Sequence, residues 1–387
     1  MNTKKAKTIL IIAASMLLLN GKAKAQKLRV VSTAVPSLQI SPDARAAGLG
    51  DQGTSTTPDP YSQFWNLAKY SFMGSKAGFG LSYTPWLSKL VNDIALIQAS
   101  GYYQIGSDNN QAISASVRYF TMGKLTMFDN MGQSMGEAHP NEFAIDLGYS
   151  RQLSENFSMG VALRYIHSDK SSYDGDSKGN AFAADVAGFL NKYVMLGDAE
   201  SLWTFGFNIK NIGTKISFGD NSRSSFIPTS LNIGTGLLYP IDEYNAISFN
   251  VEASKLLVPT PPFKEDYESD EEYQKEIDKY ENTSSISGIF KSFGDAKGGF
   301  SEEFKEINWA LGAEYSYDNR FFLRAGYHYQ SPEKGNLSYF TCGAGFKMNV
   351  FRVDASYLIS TVQNNPLDQT LRFTLAFDMD GIANLFK

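Results

Sequence analysis

The chain carries an acid and a base close together in a segment of small residues, SPDARAAGLGD, which runs from Ser41 to Asp51. Asp43 and Arg45 could form an ion pair or could belong to an active site. The segment has too many glycines for a stable helix and lacks the alternation of a strand. Its chemistry therefore depends on the elements that surround it.

The other residues that could catalyse a reaction or hold a metal are scattered. His139, His167 and His328 lie in separate segments, without a second histidine four residues away or a cysteine nearby. His167 and Ser168 are adjacent on a predicted strand, where neighbouring side chains point to opposite faces, so they cannot form a base–nucleophile pair. The sequence has no nucleophile elbow and no phosphate-binding loop. We expect no catalytic residues, no cofactor and no metal.

One acidic run, DGDSKGN, resembles the start of a calcium loop. Asp174, Asp176 and Gly179 stand at its first, third and sixth positions. Lys178 takes a ligand position, however, and the twelfth residue, Asp185, belongs to a predicted strand. We do not expect calcium binding there.

Composition favours an all-β protein that does not bind nucleic acid. The 387 residues include 27 Phe, 21 Tyr and 33 Gly, and aromatic residues are enriched in strands. The net charge of -5 argues against a nucleic-acid partner, which would select a basic surface. The single cysteine, Cys342, excludes an intrachain disulfide framework.

The first residues have the pattern of a secretory signal peptide. Basic Lys4, Lys5 and Lys7 precede an apolar run from Thr8 to Leu19, and an A-x-A cleavage pattern ends at Ala25. The apolar run is short for a transmembrane anchor, which is the alternative. We predict that residues 1–25 are removed and that the mature chain is exported.

From Ala77 onward, apolar and polar residues alternate in short segments. In NFSMGVALRYIH, the residues from Phe157 to Tyr165 place an apolar side chain at every second position. About fourteen such segments fit between Ala77 and Met379. Links after even-numbered segments are mostly tight and links after odd-numbered ones mostly long, which is typical of outer-membrane barrels. We predict a transmembrane antiparallel β-barrel over residues 77–387, and a soluble sandwich is the alternative.

The polar faces of these strands would line the barrel interior. Because both signs of charge are present there, many can pair, which favours a filled barrel over an ion-selective pore. The predicted interior charges are Arg118, Asp146, Arg164, Asp185, Glu252, Glu314, Arg324, Arg352, Asp354 and Arg372.

A long extracellular insertion is predicted at residues 257–306. After a proline cluster, Ser269 could cap a helix with Glu272 as its capping-box partner. The helix would be either a solvated cover for the barrel or a docking surface for a partner, and the glycine-rich stretch after it is expected to be mobile. Candidate partner contacts in this insertion and in the loop from Thr121 to Asn141 are Phe128, Tyr273, Ile277, Tyr280, Phe290 and Phe293.

Two motifs, SPDARAAGLGD and YSQFWNLAKYSF, resemble those of the PorV family, outer-membrane barrels of the type IX secretion system in Bacteroidetes. Leu49 stands where the family has methionine, and Leu67 replaces a proline, which would loosen that turn. Shorter versions of the motif occur in the sister PorQ-like and PorP-like barrels. The residues that carry the resemblance are Ser41, Pro42, Asp43, Arg45, Gly48, Gly50, Asp51, Trp65 and Asn66.

The resemblance implies a barrel of the FadL-like class that serves as a non-enzymatic shuttle in the outer membrane. PorV-like proteins take cargo with a C-terminal signal domain from the SprA-type (Sov) translocon. They present it to a PorU-like sortase, which attaches the cargo to lipopolysaccharide. Two alternatives remain: a FadL-like transporter of hydrophobic small molecules, and a protein connected with lipid A deacylation.

The resemblance also gives the opening segment a setting. Residues 26–76 are expected to form a plug on the periplasmic side, with small residues packed against the barrel wall. Asp43, Arg45 and Asp51 could pair with charges of the interior, which would limit their desolvation cost. Trp65 and Asn66 would wedge the segment in place.

Overall fold

The computed structural model describes residues 29–87, 91, 93–106, 108–129, 131–170, 178–219, 223–363, 365 and 367–379. The predicted signal peptide and the acidic pair Asp174 and Asp176 lie outside these residues. Within the described ranges, none of the helices combines the length and apolar character needed to cross a bilayer.

Of the sixteen strands in the described ranges, fourteen close into one antiparallel barrel, which confirms the predicted fold class. β1 pairs with β2 on one side and with β16 on the other, so the sheet has no open edge. β4 and β5 form a separate two-stranded hairpin between β3 and β6. The strands are β1 Ala77–Pro85, β2 Ile94–Ile105, β3 Gln111–Met122, β4 Leu125–Phe128, β5 Ser134–Ala138, β6 Asn141–Ser154, β7 Phe157–Asp169, β8 Lys178–Leu196, β9 Ala199–Gly213, β10 Ser230–Pro240, β11 Asn245–Leu256, β12 Asn308–Tyr317, β13 Phe321–Tyr329, β14 Tyr339–Lys347, β15 Phe351–Ser360 and β16 Leu371–Asp378.

The alternation in the sequence separates the two faces of the barrel wall. On β7, Val161 and Leu163 are 53% and 71% exposed, whereas Ala162 and Arg164, which alternate with them, are buried. Because side chains alternate along a strand, the apolar set faces outward and the small or polar set faces inward. The outward surface is thus an apolar band of the kind that contacts lipid.

The two rims of the barrel differ as the loop lengths predicted. Tight turns at 155–156, 197–198 and 318–320 lie on one rim, together with the start of β1 and the end of β16. In the turn after β12, Asp318 and Asn319 both have positive φ, as tight hairpin turns require. The opposite rim carries the long loops, including 214–229 and 257–307.

The insertion between β11 and β12 contains the predicted helix. It runs over Asp270–Glu281, and the Ser269 side chain accepts a hydrogen bond from the Glu272 N–H, as a capping residue should. Two further helices form in and around the glycine-rich stretch that follows, at Ser285–Lys291 and Phe300–Lys305. Ser284 caps the first of these, and Gly288 allows its close approach to Pro259.

The N-terminal segment lies inside the barrel and reaches farther than predicted. It contains short helices at Ala44–Ala47 and Ser62–Trp65, and 3-10 turns at Pro36–Gln39 and Leu67–Phe72. Its backbone is bonded to the long loops at its start, where Arg29 donates to the Glu333 carbonyl and Ala34 to that of Phe226. The segment therefore crosses from the long-loop rim to β1 at the tight-turn rim, and the prediction that it stays on the periplasmic side was wrong.

The departure of Leu67 from the family pattern does not leave an open turn. Leu67 is fully buried and begins the 3-10 turn, which Asn66 caps by accepting a hydrogen bond from the Ala68 N–H. Gly148 and Gly160 of the wall leave the space that the Leu67 side chain fills. The packing of Leu67 against these two glycines holds the turn in place without the rigid ring of a proline.

Candidate functional site

The small-residue motif folds into a single capped turn of helix. Asp43 is the cap, and its carboxylate accepts from the Ala46 N–H at 2.8 Å and from the Trp65 indole N–H at 2.6 Å. Asp43 was expected to pair with an interior cation, and this expectation was wrong. Its carboxylate instead joins the two motifs of the inner segment, which we define as residues 29–76.

Arg45 links the inner segment to the barrel wall. Its guanidinium donates to Asp59 at 2.7 Å and to the Thr57 carbonyl at 2.9 Å within the segment. It also forms an ion pair with Glu314 of β12 at 3.2 Å. The side chain is only 4% exposed, so its charge depends on these partners.

Asp51 forms a second link to the wall. It accepts from Arg372 of β16 at 2.7 Å and from the Tyr339 hydroxyl at 2.5 Å. The preceding Gly50 has φ +85°, and its N–H donates to the Thr341 hydroxyl at 3.0 Å. A side chain at Gly50 would meet the Tyr327 backbone, so the motif needs glycine there.

Glu252 of β11 holds the segment through its backbone. The carboxylate accepts from the N–H groups of Gly53 and Thr54 at 3.0 and 2.9 Å, and from the Thr54 hydroxyl at 2.9 Å. These hydrogen bonds stabilise the buried carboxylate.

Trp65 and Asn66 anchor the second motif. The Asn66 amide donates to the carbonyls of Thr54 and Gly188, at 3.0 and 2.9 Å. Asn208 of β9 donates to the Trp65 carbonyl at 2.7 Å. The segment is therefore tied to the wall on several sides.

Two charged residues of this arrangement were not singled out in the sequence. Asp59 supplies the second acid for Arg45, and Lys69 donates to the Gly53 carbonyl at 2.8 Å while fully buried. Lys69 lies within the WNLAK motif, which could have marked it. Asp59 stands between two prolines and carries no comparable signal.

The predicted interior charges all lie on the inward side of the wall, where several pair with one another. Arg164 bonds to Asp146 at 2.6 Å and to Asp185 at 2.9 Å. Asp354 pairs with both Arg324 and Arg352 at 2.8 Å. Arg324 also reaches Glu314 at 2.5 Å, which joins the wall charges to Arg45.

Arg118 has a different set of contacts. It donates to the carbonyls of Ser37 and Ile40 at 2.6 and 3.1 Å and stacks over the Phe64 ring at 4.4 Å. Because Gln98 of β2 accepts two more hydrogen bonds from this guanidinium, the inner segment and the wall together satisfy Arg118.

Two cavities lie on opposite sides of the inner segment. One of about 330 Å³ faces the long loops and is lined by Ile40, Trp65 and His328, among others. The other, of about 310 Å³, opens at the tight-turn rim beside Asp59 and Arg352. The charged layer around Arg45 and Glu314 separates them.

An ion cluster fastens the insertion to the rim. Lys334 bonds to Glu302 at 2.9 Å and to Glu306 at 2.8 Å, and Lys255 pairs with Glu303 at 3.0 Å. Burial alone would lower the pKa of Lys334, but its hydrogen bonds to Glu306 and Glu302 outweigh burial and raise that pKa above its ordinary value. Lys334 therefore remains charged at neutral pH.

A family model for the type IX secretion system protein PorV matches residues 22–263. The chain belongs to the PorV family. No curated protein sequence matches it.

The solved structures that resemble this PorV-family chain include two toluene transporters and a FadL homologue. The toluene transporter TodX of Pseudomonas putida is 10% identical, with a TM-score of 0.48 over 91% of this chain and 98% of TodX. The toluene transporter TbuX of Ralstonia pickettii is 12% identical, with a TM-score of 0.44 over 89% of this chain and 99% of TbuX. A FadL homologue of Pseudomonas aeruginosa is 10% identical, with a TM-score of 0.44 over 90% and 99% of the two chains.

The partner-contact candidates of this PorV-family chain fall into three places. Phe128 lies on the β4–β5 hairpin and is 62% exposed. Tyr273, Ile277 and Tyr280 lie half-buried on one face of the Asp270–Glu281 helix, where Tyr280 packs against the Phe226 ring. The last two candidates, Phe290 and Phe293, are exposed in the second half of the insertion. The structure therefore does not unite them in one patch.

His167 and Ser168 of this PorV-family chain lie on opposite faces of β7, as the alternation of side chains along a strand predicted. His167 contacts Asn180 on the outward side, whereas Ser168 is buried beside Glu142. Among the residues described, no three His, Cys, Asp or Glu side chains come together as a metal site.

Proposed function

We propose that this chain is a non-enzymatic carrier of the type IX secretion system in the outer membrane of a Bacteroidetes-like bacterium. It receives cargo by its C-terminal signal domain from the SprA-type (Sov) translocon. It then delivers that cargo to a PorU-like sortase at the cell surface. The observation that carries the proposal is the match to the PorV family over residues 22–263.

The filled interior supports a role as a platform for other proteins. A small molecule crossing the barrel would have to pass the layer in which buried Arg45 pairs with both Asp59 and Glu314. Opening that layer would leave buried charges without partners, at a cost of several kcal/mol per broken pair. An apolar solute offers nothing to replace these partners, so no observation favours the alternative of a hydrophobic transporter.

The structure offers equally little support for lipid A deacylation. A hydroxyl nucleophile needs a base within hydrogen-bond reach. His167 and Ser168 lie on opposite faces of β7, as their separate partners show. We therefore do not propose that activity.

The β4–β5 hairpin is the surface best suited to bind a signal domain. Its exposed apolar side chains include Phe128, at 62%, and Met131, at 82%. In the described part of the chain, β4 and β5 pair only with each other, which leaves hairpin backbone available to a β-rich partner. Exposed aromatic and methionine side chains on a polar loop are typical of binding surfaces.

A pulldown from detergent-solubilised membranes tests this proposal. We expect the wild-type chain to recover both signal-domain cargo and the translocon. A Phe128→Asp/Met131→Asp variant should recover at least tenfold less cargo, because two apolar anchors of more than about 1 kcal/mol each are lost. The matched control is Ile241→Asp/Tyr244→Asp, which changes apolar residues that are 55% and 57% exposed on the tight-turn rim.

The control variant should bind cargo as the wild type does. If the wild-type chain recovers neither cargo nor translocon, the proposed function is wrong. If both double variants bind normally, the hairpin is not the cargo surface.

A further inference from the structure

The second half of the insertion lies against the outside of the barrel wall. The wall residues concerned alternate in exposure: Ile233 is 41% exposed, whereas its neighbour Asn232 is buried toward the interior. Ile233 pairs with Ala253, and Ala253 pairs with Trp309, so all three face outward in register. The Phe304 ring lies 6.3 Å from that of Trp309, which places the Phe300–Lys305 helix on the outer face.

A buried ion pair holds this helix in place. Lys255 stands opposite Leu231 on the same outward face, and only 9% of it is exposed. Glu303 of the helix bonds to its ammonium group at 3.0 Å. The helix thus covers a charged group that would otherwise interrupt this part of the apolar wall.

A groove of about 240 Å³ separates the helix from the wall. Leu231, Ile233 and Ala253 line it on the wall side. The insertion contributes Phe293, Phe300 and Phe304, so the lining is mostly apolar. Large rings in such a groove favour an apolar occupant over a polar or charged one.

The rings at the groove are strongly exposed. Phe300 is 85% exposed, and Phe293 and Phe304 are 53% and 54% exposed. Leaving these rings in water forfeits the hydrophobic stabilisation that burial would give them. Their neighbour Phe290 is also exposed, at 75%. The first half of the insertion differs, because its Asp270–Glu281 helix is acidic and suited to water.

The groove is continuous with the lipid-facing wall. Directly below it on the neighbouring strands, Val251 and Leu311 pair with each other and are 39% and 50% exposed. Trp309 beside the groove occupies the position of an interfacial aromatic girdle. In a membrane, the acyl chains of the lipids lie beside these residues.

We propose that the groove between the insertion and β10–β11 is occupied by an acyl chain of an outer-leaflet lipid. Phe293, Phe300 and Phe304 then anchor the second half of the insertion in the membrane surface, while the acidic helix remains in water. Phe293, a candidate protein contact from the sequence, is assigned to lipid. This inference does not depend on the cargo role proposed above.

Quenching by brominated lipid tests the site in the full chain. Tryptophan replaces Phe300 in a background in which Trp203 and Trp309, the outward-facing tryptophans beside lipid, are changed to phenylalanine. The protein is placed in phosphatidylcholine vesicles with bromine atoms at mid-chain. We expect Phe300→Trp to add tryptophan emission that the bromine atoms quench. The extent of this quenching should be within about twofold of that measured for a wall reporter, Phe249→Trp.

Tyr273→Trp on the acidic helix serves as the solvent control and should remain unquenched. If Phe300→Trp behaves like Tyr273→Trp, the lipid site is absent. If Phe300→Trp is unquenched and a Phe293→Ser/Phe300→Ser/Phe304→Ser variant also fails to recover the translocon, the groove binds a protein instead of a lipid. This outcome would also overturn the proposal.

Discussion

Replacing Arg45 by glutamate should prevent the barrel from closing around its inner segment. The new carboxylate would stand between Asp59 and Glu314, which Arg45 now contacts at 2.7 and 3.2 Å. Three buried acids would then lack their shared cation, and breaking a buried pair costs about 3–5 kcal/mol. The expected result is a loss of the compact, heat-modifiable form on gel electrophoresis and a low yield in the outer membrane.

The matched control for this variant is Arg320→Glu. Arg320 pairs with Asp318 in a tight turn, and its side chain is 63% exposed, so reversal of its charge should change folding yield little. Protein of the Arg45→Glu variant that does fold should still bind cargo. Normal assembly combined with a selective loss of cargo binding would contradict a structural role for Arg45.

A methyl group at Gly326 should displace the inner segment from the wall. The added Cβ would lie 2.1 Å from the Gly50 nitrogen and 2.2 Å from the Leu49 carbonyl carbon. Both atoms belong to backbone that is fixed on its other side, so rotation of a side chain cannot relieve the clash. We expect Gly326→Ala to destabilise the packed segment by about 1–3 kcal/mol or more. Limited proteolysis should then cut between residues 41 and 55, where the wild type resists.

Gly101→Ala is the control for added volume on a strand. Its Cβ would approach the Gly78 carbonyl oxygen no closer than 3.3 Å, which a small shift accommodates. This variant should resist protease as the wild type does. Equal resistance of Gly326→Ala would mean that the segment is not held against the wall at this point.

The barrel could be predicted because its signals are local. The alternation on β7 and the difference between tight turns and long loops are both visible within short stretches of sequence. The Asp270–Glu281 helix was predictable for the same reason, since Ser269 lies directly before it. Each of these features depends on residues that are neighbours along the chain.

The partners inside the barrel could not be predicted in the same way. Which acid meets Arg45 depends on strand register and on the path of the inner segment, so Asp59 and Glu314 emerge only in three dimensions. Asp43, the more obvious acid, is used as a helix cap and as an acceptor for Trp65. Asp43 accepts hydrogen bonds from groups of its own segment instead of forming an ion pair with a more distant charge of the wall.

The course of the two irregular segments also depends on long-range contacts. Arg29 reaches the long-loop rim because the Glu333 carbonyl and the Asp266 carboxylate are there to accept its hydrogen bonds. The Phe300–Lys305 helix folds back on the wall because Lys255 points outward and needs an acid. Neither partner is close in sequence, and neither contact follows from periodicity.

The most direct test of the carrier role is proteomics of the cell surface, medium and periplasm in a deletion strain. We expect that proteins with a C-terminal signal domain accumulate in the periplasm and disappear from the surface and medium, and that the wild-type gene restores them. Uptake of hydrophobic solutes and the lipid A profile should be unchanged. Normal surface display of signal-domain proteins in the deletion strain would contradict the account.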